Sequence, residues 1–149
     1  MSIGELCNRE VIVVGRGTDA LCAAKLMRQH HVGDLIVVEE SKGRRIPVGI
    51  VTDRDLVLEV LAQEVDPAGV TVDDIMSLTV KSVLETDDLL DTLRYMADNG
   101  IRRLPVVNKH GELEGILTLD DVLELLSEQI SDLTKLIGRE QKLEQSHRR

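Results

Sequence analysis

One short pattern occurs twice in the chain, and it constrains the fold more than any other feature. Residues 49–56 read GIVTDRDL, and residues 115–122 read GILTLDDV. Each copy predicts an apolar strand that passes without a loop into a helix, because a Thr at the N-cap position precedes an Asp by three positions. The leading Gly of each copy has no Cβ, so another backbone or a ligand can approach the strand closely. The repetition therefore predicts a duplicated unit.

The segments around the two copies follow the same order of elements in both halves of the chain. In the first half, hydrophobic periodicity and turn residues predict strands over 11–14, 35–39 and 46–52, with helices over about 19–29 and 53–63. In the second half they predict strands over 80–84, 104–108 and 113–118, a helix over 87–99 and a final helix after Thr118. Val106 corresponds to Val37 and Gly115 to Gly49, but the stretch from Val37 to Gly49 is the longer of the two. This difference places extra length at the first hairpin tip, where insertions are tolerated.

The duplicated units are expected to pack against each other. A three-stranded unit that helices cover on one face leaves the other face of its sheet open, and two units can bury those faces together. We therefore predict an α/β (α+β) fold of two β-α-β-β-α repeats, packed through their sheets into one pseudo-two-fold module with a C-terminal helical extension. The expected boundaries are residues 6–66 for repeat 1, 74–133 for repeat 2 and 134–149 for a helical or frayed tail.

The last helix carries an apolar seam that continues past the repeat itself. Its members follow heptad spacing, with alternating steps of four and three positions, and they are Leu119, Leu123, Leu126, Ile130, Leu133 and Ile137. Such a seam either folds back on its own unit or meets a second copy of the chain, and the sequence leaves both arrangements open. After Gly138 the residues are polar and charged, so we expect the end to fray.

Composition and charge argue against several classes of function. The net charge is −9, whereas nucleic-acid binding relies on Lys and Arg, and one Tyr without Phe or Trp supplies no base-stacking platform. The longest apolar runs are too short to span a bilayer, and no basic-then-apolar segment opens the chain, so we expect a cytoplasmic protein with neither a membrane nor a nucleic-acid partner. No motif suggests catalysis, a P-loop or a metal site. We therefore expect no enzyme, no metal and no required cofactor.

Several short motifs, taken together and in order, resemble a known family. They are Gly-x-x-Thr-x-x-Asp at 49–55 and again at 115–121, DIMS at 74–77 and RLPVV at 103–107. Over about residues 6–133, the sequence resembles a tandem pair of CBS domains, often called a Bateman module. The resemblance implies regulatory binding of adenosine-containing ligands, such as AMP, ADP, ATP, S-adenosylmethionine or sometimes NAD derivatives, in clefts between the repeats. It also implies assembly as a flat dimer of pairs.

The resemblance assigns roles to individual residues. The family's ribose-binding Thr-x-x-Asp falls on Thr52 and Asp55, and again on Thr118 and Asp121. A carboxylate at a helix start can accept two hydrogen bonds from a vicinal diol, and the positive helix end keeps it ionised. Because that carboxylate repels phosphate, the phosphate end must face basic side chains, for which the candidates are Arg102, Arg103, His31 and Arg54. The adenine is expected among aliphatic side chains and strand backbone, with the candidates Val11, Ile12, Thr79, Val80, Pro105, Ile50 and Ile116.

Simpler interpretations of these residues stay open. Each Thr-x-x-Asp can be a capping box and nothing more, which contributes about 1 kcal/mol to its helix. The Arg pair can be a solvated turn, and His31 can complement the negative end of a helix. The repeats also differ, because residues 34–36 read DLI where residues 103–105 read RLP. We therefore expect unequal clefts with one good site, and the sequence leaves open which of the two it is.

Two functions of different classes fit these observations. The first is a stand-alone regulatory module that binds an adenosyl nucleotide or S-adenosylmethionine and signals to an unidentified target protein, since no effector domain is recognisable in the sequence. The second is a ligand-free structural or interaction module, in which a homodimer and the helical seam perform the function. Both predict the same fold and a homodimer, so a binding experiment is needed to distinguish them.

Overall fold

A computed structural model describes residues 1–77 and 81–148 of the chain. The first half contains α1 (Ile3–Leu6), β1 (Val13–Gly15), α2 (Ala20–His30), β2 (Asp34–Ser41), β3 (Arg44–Thr52) and α3 (Asp53–Leu56), with a π-helical turn over Val57–Leu61 directly after α3. The second half contains α4 (Val72–Ile75), β4 (Val83–Leu84), α5 (Leu89–Asn99), β5 (Arg103–Val107), β6 (Leu113–Thr118) and α6 (Leu119–His147). The predicted order of elements is confirmed in both repeats. The predicted strand over 80–84 begins at a residue outside the described ranges, and of its described residues 81–84, Val83 and Leu84 form β4.

Two three-stranded sheets with the same topology form the centre of the two repeats. Their strand orders are β1-β2-β3 and β4-β5-β6, and in each sheet the first pair is parallel and the second antiparallel. The register shifts between Val37 and Val38 in one sheet and between Val106 and Val107 in the other. These are equivalent positions of the two repeats, so the duplication extends to a local irregularity of the hairpins.

Aliphatic side chains fill three clusters. One lies in each repeat between its sheet and its helices, and the third lies between the two sheets around Ile36, Val38, Ile50 and Ile116. Burying these faces removes apolar surface from water, which stabilises the fold by roughly 25 cal/mol for each Å² buried. This third cluster confirms that the repeats pack through their sheets.

The segment that leads into each repeat packs on the other repeat. Ile3 of α1 lies in the core of repeat 2, and the amide of Gly4 donates to the carbonyl of Glu85 at 2.8 Å. Conversely, Val72 and Met76 lie in the core of repeat 1. Because each repeat is completed by a segment from elsewhere in the chain, the two repeats fold as one cooperative module.

The two glycines of the duplicated pattern make this exchange possible. Asn8 forms two backbone hydrogen bonds of 2.9 Å with Ile116, and a Cβ on Gly115 would lie 2.6 Å from the Asn8 carbonyl oxygen. At the equivalent position, a Cβ on Gly49 would overlap the Sδ atom of Met76. The close approach that the sequence predicts at these glycines is therefore made by other segments of the same chain.

The final helix leaves the body of the module. α6 continues through Gly138 to His147, so the expectation of fraying after Gly138 is not what the structure has. The backbone hydrogen bonds of a helix are satisfied within the segment, and one glycine in it costs only about 1 kcal/mol. From residue 126 to residue 148, every residue except Gly138 is exposed. The seam does not fold back on its own repeat.

Candidate functional site

A cleft of about 250 Å³ lies between the two repeats. Six residues that the sequence singled out line it together: Ile50, Thr52 and Asp55 from repeat 1, and Arg102, Arg103 and Pro105 from repeat 2. Four lining residues were missed, namely Ser77, Lys81, Ile101 and Leu104. A signal for Lys81 was present, because it occupies the position in repeat 2 that Ile12, a residue already singled out, occupies in repeat 1.

Thr52 and Asp55 form a capping box at the start of α3. The amide of Asp55 donates to the Thr52 hydroxyl oxygen at 3.2 Å, and the amide of Thr52 donates to Asp55 Oδ2 at 2.8 Å. The pair therefore does form a capping box. It leaves the carboxylate with unused lone pairs, since an ionised carboxylate offers about four acceptor sites. The helix N-terminus also favours negative charge at this point.

Three cationic side chains line the other side of the cleft. The Lys81 ammonium lies 4.1 Å from the centroid of the Tyr95 ring. Arg102 has one guanidinium nitrogen 3.9 Å from Asp120, with the Arg102 side chain 68% exposed, so that contact is weak. Arg103 is more closely held, because its Nε atom donates to Asp34 Oδ2 at 2.8 Å across the interface between the repeats. The cleft thus combines a helix-capping carboxylate with a cationic wall.

Asp34 is the equivalent of Arg103 in repeat 1, and the pair joins the two repeats. Burial raises the pKa of the Asp34 carboxyl above its ordinary value. The guanidinium of Arg103 opposes this pKa shift, and the like charges of Asp53 and Asp121 add to it. The net direction shows that burial and the two like charges together outweigh the ion pair, in keeping with the cost of taking charges out of water. Arg103 is therefore held by a carboxylate whose ionised form is disfavoured by its surroundings.

The second Thr-x-x-Asp has different neighbours. The amide of Asp121 donates to the Thr118 hydroxyl oxygen at 3.1 Å, so Thr118 caps α6. In repeat 1, the positions equivalent to Lys81, Arg102 and Arg103 hold Ile12, Gly33 and Asp34. At these three equivalent positions, repeat 2 thus has three cationic side chains, whereas repeat 1 has one anionic side chain and no cationic one. The two halves differ in charge as well as in sequence.

The remaining basic candidates lie outside the cleft. His31 is the C-cap of α2, in a left-handed conformation with φ of 54°. Arg54 follows the N-cap of α3 and is exposed. Neither of them is among the residues that line the cleft.

The remaining adenine candidates do not line the cleft or lie outside the described residues. Ile116 is buried between the sheets with Val11 beside it, whereas Ile12 packs on the core of repeat 1. Thr79 and Val80 lie outside the described residues, and their place near the adenine stays a prediction.

Metal-binding clusters and membrane-spanning helices are both missing from the part of the chain that the structure describes. In residues 1–77 and 81–148, no group of three or more His, Cys, Asp or Glu side chains could hold a metal ion. Within the same ranges, none of the helices combines the length and the apolar character that crossing a bilayer requires.

Known proteins are similar to this chain in sequence and in fold. The family model of the CBS domain matches residues 3–62 and 72–128. An uncharacterized protein of Methanopyrus kandleri is 39% identical over 125 residues, which cover 84% of this chain and 62% of that relative, so this chain spans less than two thirds of the relative's length. The crystal structure of Hypoxic Response Protein I with two coordinated zinc ions superimposes with a TM-score of 0.71 at 28% identity, covering 83% of this chain and 98% of that one. The CBS domain pair of protein MJ0100, in complex with 5′-methylthioadenosine and S-adenosyl-L-methionine, superimposes with a TM-score of 0.72 at 25% identity, covering 85% and 99%.

Proposed function

This chain belongs to the CBS domain family, and we propose that it acts as a regulatory module that binds an adenine nucleotide in the cleft between its repeats. The observation that carries the proposal is the pairing of Asp55, at a helix N-terminus, with a cationic wall of Lys81, Arg102 and Arg103. A nucleotide has the complementary pattern, a ribose diol at one end of the sugar and phosphate at the other. We propose regulation rather than catalysis.

Asp55 is the proposed ribose acceptor. Its Oδ2 atom already receives the Thr52 amide, and the remaining lone pairs can accept hydrogen bonds from the two ribose hydroxyls. The Thr52 hydroxyl accepts from the Asp55 amide and keeps its own proton to donate. Capping and ligand binding are compatible here, because they use different lone pairs of the same groups.

The cationic wall is the proposed phosphate site, and it favours AMP, ADP or ATP over S-adenosylmethionine. Arg offers planar paired donors that match phosphate oxygens, and Lys81 adds a mobile point charge. S-adenosylmethionine instead carries a sulfonium cation next to its ribose, which three cations would repel. A related CBS domain pair does bind 5′-methylthioadenosine and S-adenosyl-L-methionine, which supports an adenosyl ligand in general. The volume of about 250 Å³ is just below the usual range for ligand sites, so the phosphates would extend toward solvent at the exposed Arg102.

The charge difference between the repeats supports occupancy of this cleft rather than the one beside Asp121. An anion beside Asp121 would meet Asp34 and Asp53, and the charges of Asp53 and Asp121 already contribute to the raised pKa of Asp34. We propose that the output is a change in how the repeats or two copies pack, passed to a separate target protein.

A panel of thermal-shift measurements tests this proposal. Adenosine, AMP, ADP, ATP and S-adenosylmethionine are added to metal-free protein, in the wild type and in Asp55→Asn. A ligand at a hundred times its Kd stabilises the fold by about 2.7 kcal/mol, which is a clear shift for a domain of this size. We expect a shift with at least one phosphate-bearing nucleotide that Asp55→Asn reduces strongly.

The chain supplies a matched control for this substitution. Thr71 and Asp74 form another capping box, with the Thr71 amide donating to Asp74 Oδ2 at 3.1 Å, and neither residue lines the cleft. Asp74→Asn should leave the nucleotide shift unchanged. Equal losses in both variants would mean that capping, not ligand contact, explains Asp55. A shift with S-adenosylmethionine alone would contradict the phosphate site.

One observation favours the second function, a ligand-free interaction module. An apolar groove of about 640 Å³ lies between α2 and the turn after α3, and its wall includes Leu21, Val57 and Leu61, which are 38%, 52% and 73% exposed. Exposed apolar surface of this kind marks contact with another protein or another copy. If no compound in the panel shifts the melting temperature, this groove becomes the functional surface, and a homodimer through it is the proposal that stands.

A further inference from the structure

The free part of α6, residues 126–148, extends from the module as a single helix. All its residues except Gly138 are exposed, and at 1.5 Å per residue it is about 33 Å long. In proteins, most of the stability of a helix comes from packing of its apolar face against another surface. Its stability therefore depends on a surface that the module itself does not provide.

An apolar stripe runs along this free part. Leu126, Ile130, Leu133 and Ile137 are 46%, 64%, 61% and 56% exposed. Their spacing assigns Leu126 and Leu133 to position d of a heptad, and Ile130 and Ile137 to position a. Single exposed apolar residues are ordinary, but an aligned row on an otherwise solvated helix marks an interface.

We propose that the free part of α6 pairs with the same segment of a second copy, as a parallel two-stranded coiled coil. Ile at position a with Leu at position d is the combination that favours two parallel strands. The residues that flank the seam are uncharged at Ser127, Gln129 and Thr134, so two identical seams meet without like-charge repulsion.

Between Leu123 and Ile137, where the seam ends, the charged residues point away from the seam. Glu124, Glu128, Asp132 and Lys135 occupy positions b, c and f, which face solvent in a coiled coil. A membrane surface is a poor alternative occupant, because binding there requires Lys or Arg beside the apolar face, and the first half of α6 is acidic. A second copy satisfies both the apolar stripe and the charge pattern.

Parallel alignment fits the position of the module better than antiparallel alignment. The seam begins at the module and ends at Ile137, where Gly138 follows. An antiparallel pair centred on Ile130 would carry the last part of each helix, about 15 Å, onto the partner's module. A parallel pair keeps identical residues opposite each other and holds both modules at one end. With flanking residues, two seams bury on the order of 1,000 Å² in total, which is the lower limit for a specific interface.

Disulfide trapping tests the pairing and its direction. In a background with Cys7→Ser and Cys22→Ser, the variants Leu126→Cys and Leu133→Cys are oxidised at low protein concentration and separated on a non-reducing gel. Each variant then has a single Cys, so any disulfide that it forms joins two chains. In a parallel coil, both d positions should cross-link at least tenfold faster than the outward-facing controls Glu128→Cys and Lys135→Cys, each of which lies close to one seam position. All four positions are exposed, so folding is not at risk.

Every outcome decides the proposal. Rapid cross-linking of both seam variants with slow controls supports it. Rapid cross-linking at only one seam position indicates an antiparallel pair, and overturns it. Equal rates at all four positions, or no dimer, overturn the parallel coil. The experiment contains no nucleotide, so its failure would not affect the proposed ligand site, and failure of that site would not affect the coil.

Discussion

The ion pair between Asp34 and Arg103 competes with any anion that enters the cleft. The two side chains are joined at 2.8 Å, and the same guanidinium lines the proposed phosphate site. We predict that Asp34→Asn tightens binding of adenine nucleotides. The amide has nearly the size of the carboxylate, so the substitution removes the charge without leaving a cavity.

The expected gain follows from the geometry of the pair. A hydrogen bond to a charged group contributes about 1.5–3 kcal/mol. The side chains of Arg103 and Asp34 are 35% and 22% exposed, so solvent screening reduces the value. The guanidinium also has five donors, and only some of them are engaged. A net gain of roughly 1 kcal/mol remains, which corresponds to about a fivefold lower Kd.

Isothermal titration calorimetry with AMP and with adenosine measures this gain. AMP should bind Asp34→Asn about fivefold more tightly than it binds the wild type, whereas adenosine, which has no phosphate, should bind both alike. Asp73→Asn is the matched control, because it breaks the ion pair of Arg16 and Asp73 at 2.7 Å, and neither of those residues lines the cleft. An equal gain for adenosine, or weaker binding of AMP, would refute the reasoning that Asp34 withholds Arg103 from the ligand.

Three further predictions concern packing, pH and the cationic wall. Gly115→Ala should lower the free energy of unfolding in urea by about 1–3 kcal/mol, because its Cβ would lie 2.6 Å from a backbone oxygen. Gly49→Ala should lower it by less, because its Cβ would mainly meet a flexible side chain, and equal losses would contradict this. Burial raises the pKa of Asp34, so the folded state holds the carboxyl proton to higher pH than the unfolded chain does. The free energy of unfolding of the wild type, minus that of Asp34→Asn, should therefore fall as pH rises through this pKa. A rise would contradict the raised pKa. Tyr95 is the only aromatic residue, and its fluorescence should change when AMP draws Lys81 away from the Tyr95 ring. No change at saturation, or the same change in Lys81→Ala, would exclude that movement.

Local signals were sufficient for the order and most bounds of the elements. The strand predicted over 113–118 is β6, and the helix expected after Thr118 begins at Leu119. These predictions depend on caps, hydrophobic periodicity and turn residues, which act within about four positions along the chain. The duplicated pattern then indicated two packed units, because each three-stranded unit leaves one face of its sheet open.

The candidate site was only partly predictable. Thr52 and Asp55 were found because their motif is local and repeated, and the Arg pair was found because it breaks the repeat. Lys81 was missed because it belongs to no motif, and only its equivalence to Ile12 of repeat 1 signals it. The sequence showed that Asp34 and Arg103 are different residues at equivalent positions of the repeats. It did not show that their side chains are in contact.

By itself, the sequence determined two homologous α/β repeats packed through their sheets, with an apolar seam along the last helix. Only the tertiary structure decided that each lead-in segment completes the other repeat, that Thr52 and Asp55 face the cationic wall, and that the seam stands clear of the module. The physical reason is the range of the interactions. Caps and periodicity act between neighbouring residues, whereas the cleft and the exchanged segments depend on contacts between residues dozens of positions apart, which no local pattern encodes.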